Sequence, residues 1–143
     1  MAKEEVILTN FDKEFFENIP EHTAVLIKES GIYHTITVDG EKAGVVGYIP
    51  IFDNEGNQLN FIQIILVSKF RGRGLVRLTE DLLAEKYKLK QLFATISTDN
   101  IPSIKAHLKS GFKELDQKIL NNLHKNKSLK INQTRLVKNY LSP

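Results

Sequence analysis

The sequence predicts an α/β fold, and three observations carry that prediction. Phe61 to Val67 is a short, nearly continuous apolar run that feeds a glycine-rich turn and then an amphipathic segment. Gln91 to Ser97 is a second strand-like run that leads into a segment with helix-start chemistry. Upstream, an Asp39-Gly40 turn divides two apolar stretches and marks a hairpin.

Taken along the chain, the elements are as follows. Phe11, Phe15, Phe16 and Ile19 lie at helix-like spacing around Asp12 to Asn18, before Pro20, and a second short helix is predicted near Glu21 to Lys28. Two readings of this aromatic pair of helices stand: plain core, or one wall of an acceptor pocket. Tyr33 to Val38 and Ala43 to Ile51 form the two arms of the hairpin, and Asp53 to Asn57 is a further turn leading into a strand at Leu59 to Val67. That strand is short, Ile-rich and of a length that suits burial on both faces.

The glycine-rich turn is Arg71-Gly72-Arg73-Gly74-Leu75-Val76. Glycines there can take backbone conformations closed to other residues and admit close approach of a ligand. The turn opens a helix, with Leu75, Leu78, Leu82 and Leu83 at helical spacing. Free N–H groups and the positive helix end sit where a phosphate can bind, and Arg71 and Arg73 supply charge. The competing reading is an ordinary strand-to-helix turn with exposed arginines. The second half of the pattern shifts the balance. After Gln91 to Ser97, Asp99 and Asn100 stand at a helix start, Pro102 suits the first turn, Ile104, Leu108 and Phe112 line one side, and Gly111 stops the helix. Strand, turn, helix, strand and helix make a βαβ unit with parallel strands and a right-handed crossover.

These residues resemble the GCN5-related N-acetyltransferase (GNAT) superfamily. Its signature is an R/Q-x-x-G-x-G/A loop followed by N-x-x-[AS]-I-x-x-[YF]-x-x-x-G-F. Arg71-Gly72-Arg73-Gly74-Leu75-Val76 stands at the first, with Arg71 and Gly74 matching its specified positions, and Asn100, Ser103, Ile104, Gly111 and Phe112 are in register with the second. The joint match spans residues 61–112. There are two departures. Val76 stands where the loop has its last glycine or alanine, so it either crowds a pyrophosphate or turns into the core. His107 stands at the aromatic position, where the family commonly has a tyrosine near the cofactor sulfur.

The resemblance implies a single domain over residues 1–143 with the acyl-CoA N-acyltransferase fold, a mixed central sheet flanked by helices. It implies acetyl-CoA as cosubstrate, bound by Leu66, Arg71, Gly72, Arg73, Gly74, Leu75, Val76, Asn100, Ser103 and His107. It implies transfer of acetyl to a primary amine, with a small molecule favoured as acceptor. A protein N-terminus or lysine is the alternative within enzymes, and a catalytically silent CoA-binding module is the alternative outside them. His107 is the candidate general acid for the departing thiolate, because a histidine can donate a proton near neutral pH; the other reading of His107 is a partly buried helix histidine with a local hydrogen bond. Some family members carry a glutamate base on this strand; this chain has no carboxylate between Gln58 and Arg73 and offers Gln63, which cannot accept a proton at useful pH. Glu29, His34 or the backbone, acting through water, are the remaining base candidates.

Composition bounds the rest. The chain has 143 residues, a length that fits one domain with a real core, and a net charge of +3. That charge is too small to argue for nucleic acid, though it helps attract an anionic cofactor. There is no cysteine, which removes disulfides, Cys-based zinc sites and a cysteine nucleophile. His22, His34 and His124 have no metal-like spacing, so no metal is expected. The start, Met-Ala-Lys-Glu-Glu, lacks the apolar core of a signal peptide, and no run is long enough to span a bilayer. The expectation is a cytoplasmic protein, monomer or homodimer, with no membrane or nucleic-acid partner. Lys113 to Gln133 reads as a solvated loop or hairpin, with contact to an acidic acceptor or a cofactor phosphate as the alternative. Thr134 to Leu141 reads as a closing strand, which the family places beside Gln91 to Ser97.

Overall fold

The structure is a computed structural model that describes residues 4–140. Its centre is a seven-stranded mixed sheet in the order β1-β2-β3-β4-β5-β7-β6. The strands are β1 (Val6–Asn10), β2 (Ile32–Val38), β3 (Glu41–Phe52), β4 (Gln58–Leu66), β5 (Gln91–Ser97), β6 (Lys113–Glu114) and β7 (Gln133–Asn139). Every neighbouring pair is antiparallel except β4 and β5. The helices are α1 (Lys13–Glu17), α2 (Leu75–Tyr87), α3 (Ile101–Lys109) and α4 (Gln117–Lys125).

The hairpin between β2 and β3 turns at Asp39 and Gly40, with φ of 50° and 82°. Two successive positive φ values are what a tight two-residue hairpin of this hand needs, and Asp-Gly supplies them cheaply. In β3 and β4, alternation sorts side chains onto two faces. Val46 and Ile64 belong to the larger core under α2 and α3, with Leu83, Leu92 and Leu136 wholly buried. Val45 and Ile65 face the other way and pack with Phe16 and Ile19. The phenylalanines near the N-terminus are therefore core on the face opposite α2.

The central crossover fits the sequence reading. Strand β4 runs into the glycine turn, α2 returns the chain, and β5 lies parallel to β4. That parallel contact registers at a single position, Phe61 against Phe93. Beyond it β4 still pairs with β3 through Leu66, whereas no ladder joins Ile64 to Leu66 with β5. The two strands splay at the end where α2 begins, and the family's splayed strand pair is present.

Four local expectations differ. Residues 21–28 form only a three-residue 3₁₀ turn, His22–Ala24, not a helix. Strand β1 was not anticipated; it is five residues of half-exposed edge, too short to announce itself by alternation. Lys113 to Gln133 is not a loop: it holds β6 and the two-and-a-half-turn helix α4, whose Leu120 is buried. Its Lys and Asn content masks the narrow apolar stripe that docks it. Leu78 and Leu108, which share the helical spacing of Leu75 and Leu83 and of Ile104 and Phe112, are 44% and 48% exposed rather than core. The closing strand does lie antiparallel beside β5; Leu141 lies outside the described residues.

Candidate active site

A cavity of about 530 Å³ opens at the splay. It is lined by the strand end (Ile64, Leu66), the turn and helix start (Arg71, Gly72, Gly74, Leu75, Val76) and one flank of α3 (Ser103, Ala106, His107). Three segments that are distant in sequence thus meet around one space. Most of the residues singled out from sequence line it. Arg73 and Asn100 do not.

The turn owes its shape to its glycines. Gly72 and Gly74 have φ of 72° and 75°, and a Cβ at either would meet no atom within 4 Å. They are glycine for conformation and for access, not because the fold crowds them. Gly74 precedes the first residue of α2 and provides no side-chain cap. The first N–H groups of a helix have no internal acceptor; those at the start of α2 receive no side-chain cap from Gly74, and Gly74, Leu75 and Val76 line the cavity. Val76 is half-buried: it packs against the core, and it also lines the cavity.

The two arginines are held by carboxylates. Arg71 donates through Nε to the carbonyl of Leu66 at 2.9 Å and through Nη2 to Glu21 at 2.5 Å. Arg73 pairs with Glu4 and lies over the ring of Phe70, 5.0 Å from its centroid. Arg71 and Arg73 are 46% and 36% exposed in their side chains. Exposed pairs of this kind contribute only about 0–1 kcal/mol, so a phosphate can take over either guanidinium at little cost.

Asn100 is the N-cap of α3, its side-chain oxygen accepting the Ser103 N–H at 3.3 Å. It holds the helix start that carries Ser103 to the cavity. Asn100→Ala should therefore lower stability by about 1 kcal/mol. It should also raise KM for acetyl-CoA while leaving kcat nearly unchanged; steady-state kinetics with each substrate varied checks this. An effect confined to the acceptor's KM would count against it.

His107 is 4% exposed and borders the cavity. Nδ1 lies 2.9 Å from the Ser103 carbonyl, which can only accept, so Nδ1 carries a hydrogen. Nε2 lies 2.8 Å from Oε2 of Glu80, a carboxyl with no solvent exposure. Phe112 packs edge-on against the ring at 5.0 Å. Burial works against charge on the imidazole, but the Glu80 hydrogen bond and charge outweigh it and push His107 up from its ordinary value. Burial likewise pushes the Glu80 carboxyl up, with His107 restraining it. Both shifts act to keep a proton on the pair to higher pH than an ordinary imidazole keeps one.

That proton has a consequence for stability. In the unfolded chain the imidazole loses its proton near pH 6.5, whereas the folded pair keeps it to higher pH. The native state then binds more protons than the unfolded state, so stability falls as pH rises above about 6.5 until the folded pair deprotonates. We expect Tm of the parent to decline across pH 7–9 more steeply than Tm of a variant carrying Glu80→Leu with His107→Phe. Parallel thermal curves across that range would refute it.

Glu80 was missed by the sequence reading, although a signal existed. Leu75, Leu83 and Ala84 are buried on α2, and positions 79 and 80 fall inside the same arc of the helical wheel. A carboxylate in an apolar arc is the sign of a paired buried charge. Gln63 uses its side-chain oxygen to accept the Leu26 N–H at 2.9 Å, tying residues 21–30 to β4. Glu29 is exposed. His34 donates from Nδ1 to the Thr9 carbonyl and receives the Tyr87 hydroxyl at Nε2. Tyr87 ends α2, thirteen residues after Gly74, so this pair stands about 20 Å from the turn and is a structural contact. His22 and His124 bind the backbone carbonyls of Ile19 and Gln133.

Comparison with known proteins agrees with this geometry. Residues 4–112 match the model of the acetyltransferase (GNAT) family. No curated protein sequence matches the chain. Among solved structures, Campylobacter jejuni N-acetyltransferase PseH in complex with acetyl coenzyme A is similar, with a TM-score of 0.66 and 13% identity over 96% of this chain and 100% of that one. The spermidine N-acetyltransferase SpeG chimera from Vibrio cholerae and hSSAT has a TM-score of 0.65 and 12% identity over 94% and 95%. The microcin C7 self-immunity acetyltransferase MccE, in complex with acetyl-CoA and AMP, has a TM-score of 0.59 and 23% identity over 78% and 62%. With the family match covering most of its length and the splayed strand, glycine turn and α3 flank in place, this chain belongs to the GNAT family of acetyl-CoA-dependent N-acetyltransferases.

Proposed function

We propose that this protein transfers an acetyl group from acetyl-CoA to a primary amine on a small molecule. The observation that carries this reading is the cavity at the β4–β5 splay, in which the glycine turn, the strand end and the flank of α3 converge. The N–H groups at the start of α2, with Arg71 and Arg73, take the pyrophosphate. Leu66 and its neighbours on the unpaired edge of β4 take the pantetheine arm and polarise the thioester carbonyl. Ser103 borders the arm, and His107 supplies the proton to the departing thiolate. Holding the reactants aligned can itself be worth roughly 7–11 kcal/mol, which is why no glutamate on β4 is required.

The small-molecule acceptor is supported by what covers the opposite face of β4. Residues 21–30 lie across it, tied by Leu26 to Gln63, by Tyr33 to Leu26 and Lys28, and by Glu21 to Arg71. A short covering segment over the strand end suits a compact amine. No helix among the described residues is long and apolar enough to cross a membrane, and a cytoplasmic setting belongs to the same proposal.

The test is an acceptor screen that follows free CoA thiol. Its arms are small polyamines, amino sugars, amino acids, and peptides with a free N-terminus or a lysine. Turnover with the small amines and none with peptides is expected. Turnover with peptides alone transfers the assignment to protein acetylation. CoA binding without thiol release from any arm leaves the silent module.

A further inference from the structure

On the face of the sheet opposite α2 and α3, Phe61 of β4 stacks on Phe93 of β5 with 5.6 Å between ring centroids. This is the one position where the two strands pair. The guanidinium of Arg135, from β7, lies over the Phe61 ring at 4.9 Å from its centroid. Arg135 stands between the buried Thr134 and Leu136, so alternation puts it on this face. Its Nε donates to the Thr95 hydroxyl at 3.1 Å. That bond fixes the plane of the group and leaves both Nη groups for another acceptor. The chain's other three arginines, Arg71, Arg73 and Arg77, each pair with a carboxylate. Arg135 pairs with none among the described residues.

Arg135 is also half-buried, and burial works against its charge. A guanidinium does not give up its proton. The lost hydration is therefore a cost, which the Phe61 ring offsets in part and a carboxylate on the fork would offset fully.

Position ties this group to the transfer site. Thr95 is level with Gln63, each two residues past the Phe61–Phe93 pair. Gln63 holds residues 21–30 through the Leu26 N–H, and Thr95 holds Arg135. An exposed apolar segment and a fork of N–H donors thus stand on either side of the line along which β4 and β5 part. The cofactor cavity lies across that line, under α2 and α3. From Phe61 to Ile64 and Leu66 is three to five residues, about 10–17 Å of strand.

We infer that Arg135 binds the carboxylate of the acceptor, and that the amine acetylated here belongs to a molecule whose carboxylate stands several bonds from the reacting nitrogen. This rests on the acetyl-transfer reading above and narrows its substrate to ω-amino acids and molecules of like shape. With its carboxylate on Arg135 and its aliphatic chain across the aromatic pair, such a molecule brings its amine to the splay. An α-amino acid reacting at its α-amine is too short, since one carbon carries both groups. Polyamines and amino sugars carry no anion for the fork, and polyamines bring like charge to it.

The test compares ε-aminocaproate with its amide, ε-aminocaproamide, which differ in that one charge. With free CoA thiol as the readout, kcat/KM of the parent should favour the acid by about 10-fold or more, the weight of a charge-assisted hydrogen bond. In Arg135→Gln the ratio should fall to near one. Arg135→Lys keeps the charge and loses the fork, so its ratio should lie between. A parent that acetylates acid and amide alike, or a ratio that survives in Arg135→Gln, would overturn the inference and leave acetyl transfer standing. NMR of the Arg135 Nε–H gives an answer that does not depend on turnover, its resonance being assigned by its loss in Arg135→Lys. It should shift when ε-aminocaproate is added to the CoA-bound protein and hold still with the amide. A resonance that moves with neither, or with both alike, would overturn the inference. So would one that changes on dilution alone, which would give the fork to a carboxylate of a second copy of the chain. A shift specific to the acid, with no thiol release from any amine, would instead indict the acetyl-transfer reading.

Discussion

Gly74→Asp is expected to abolish the thermal stabilisation that CoA confers on the parent protein. Gly74 sits at φ 75° immediately before α2, and a Cβ there meets nothing within 4 Å. Asp is among the residues that tolerate this left-handed conformation best, so the folding cost is about 1–2 kcal/mol. The binding cost is larger. A carboxylate about 4 Å from a phosphate charge, at the effective dielectric of a protein surface, is repelled by roughly 4 kcal/mol, close to a thousandfold in affinity. With CoA at about a hundred times its dissociation constant, the parent gains roughly 2.7 kcal/mol. For a domain of this size that is a rise in Tm of about 8–10 °C. The variant should show a rise of under about 1 °C at the same concentration, measured by differential scanning. If the folded variant is stabilised as much as the parent, the phosphates bind elsewhere.

His107→Phe carries the second large effect, and it has two parts that must be separated. The ring volume is kept, but Glu80 loses its partner. Stranding one member of a buried pair costs about 3–5 kcal/mol, tempered here because the carboxyl can take up a proton. The variant should therefore melt well below the parent. In the fraction that is folded, kcat should fall by about 10–10³-fold, and the ionisation that limits the parent at alkaline pH should vanish. Adding Glu80→Leu replaces the stranded carboxyl with an apolar group of similar size. It should recover most of the stability and none of the rate. His107→Tyr should retain more activity than His107→Phe. Full activity in the folded Phe variant would end the acid role and leave positioning and solvent to carry the reaction.

These two variants probe parts of the site that were unequally legible. The glycine turn was readable because its requirements are local. A strand, two residues at positive φ and an uncapped helix start are all specified within residues 61–76. The cap at Asn100 is likewise a contact between neighbours three residues apart. The parallel crossover follows from the order of these elements, because strands of this spacing joined by a helix must run the same way. Signals of this kind survive in the sequence whatever the rest of the chain does.

What the sequence determined by itself was therefore the βαβ frame, the phosphate turn and the family pattern written on them. Only the tertiary structure decided how each helix is rotated about its own axis. Leu78 shares the helical spacing of Leu75, Leu82 and Leu83, yet α2 docks with Thr79 and Glu80 on its buried face and Leu78 44% exposed. On α3 the same rotation leaves Leu108 outside and turns His107 in. The partnership between Glu80 and His107 spans 27 positions and exists only because the sheet seats both helices side by side. A helix rotates by 100° per residue, so a small change of docking angle exchanges which neighbouring positions are buried. That angle is set by the strands and side chains packed beneath the helix, which no short window of sequence contains.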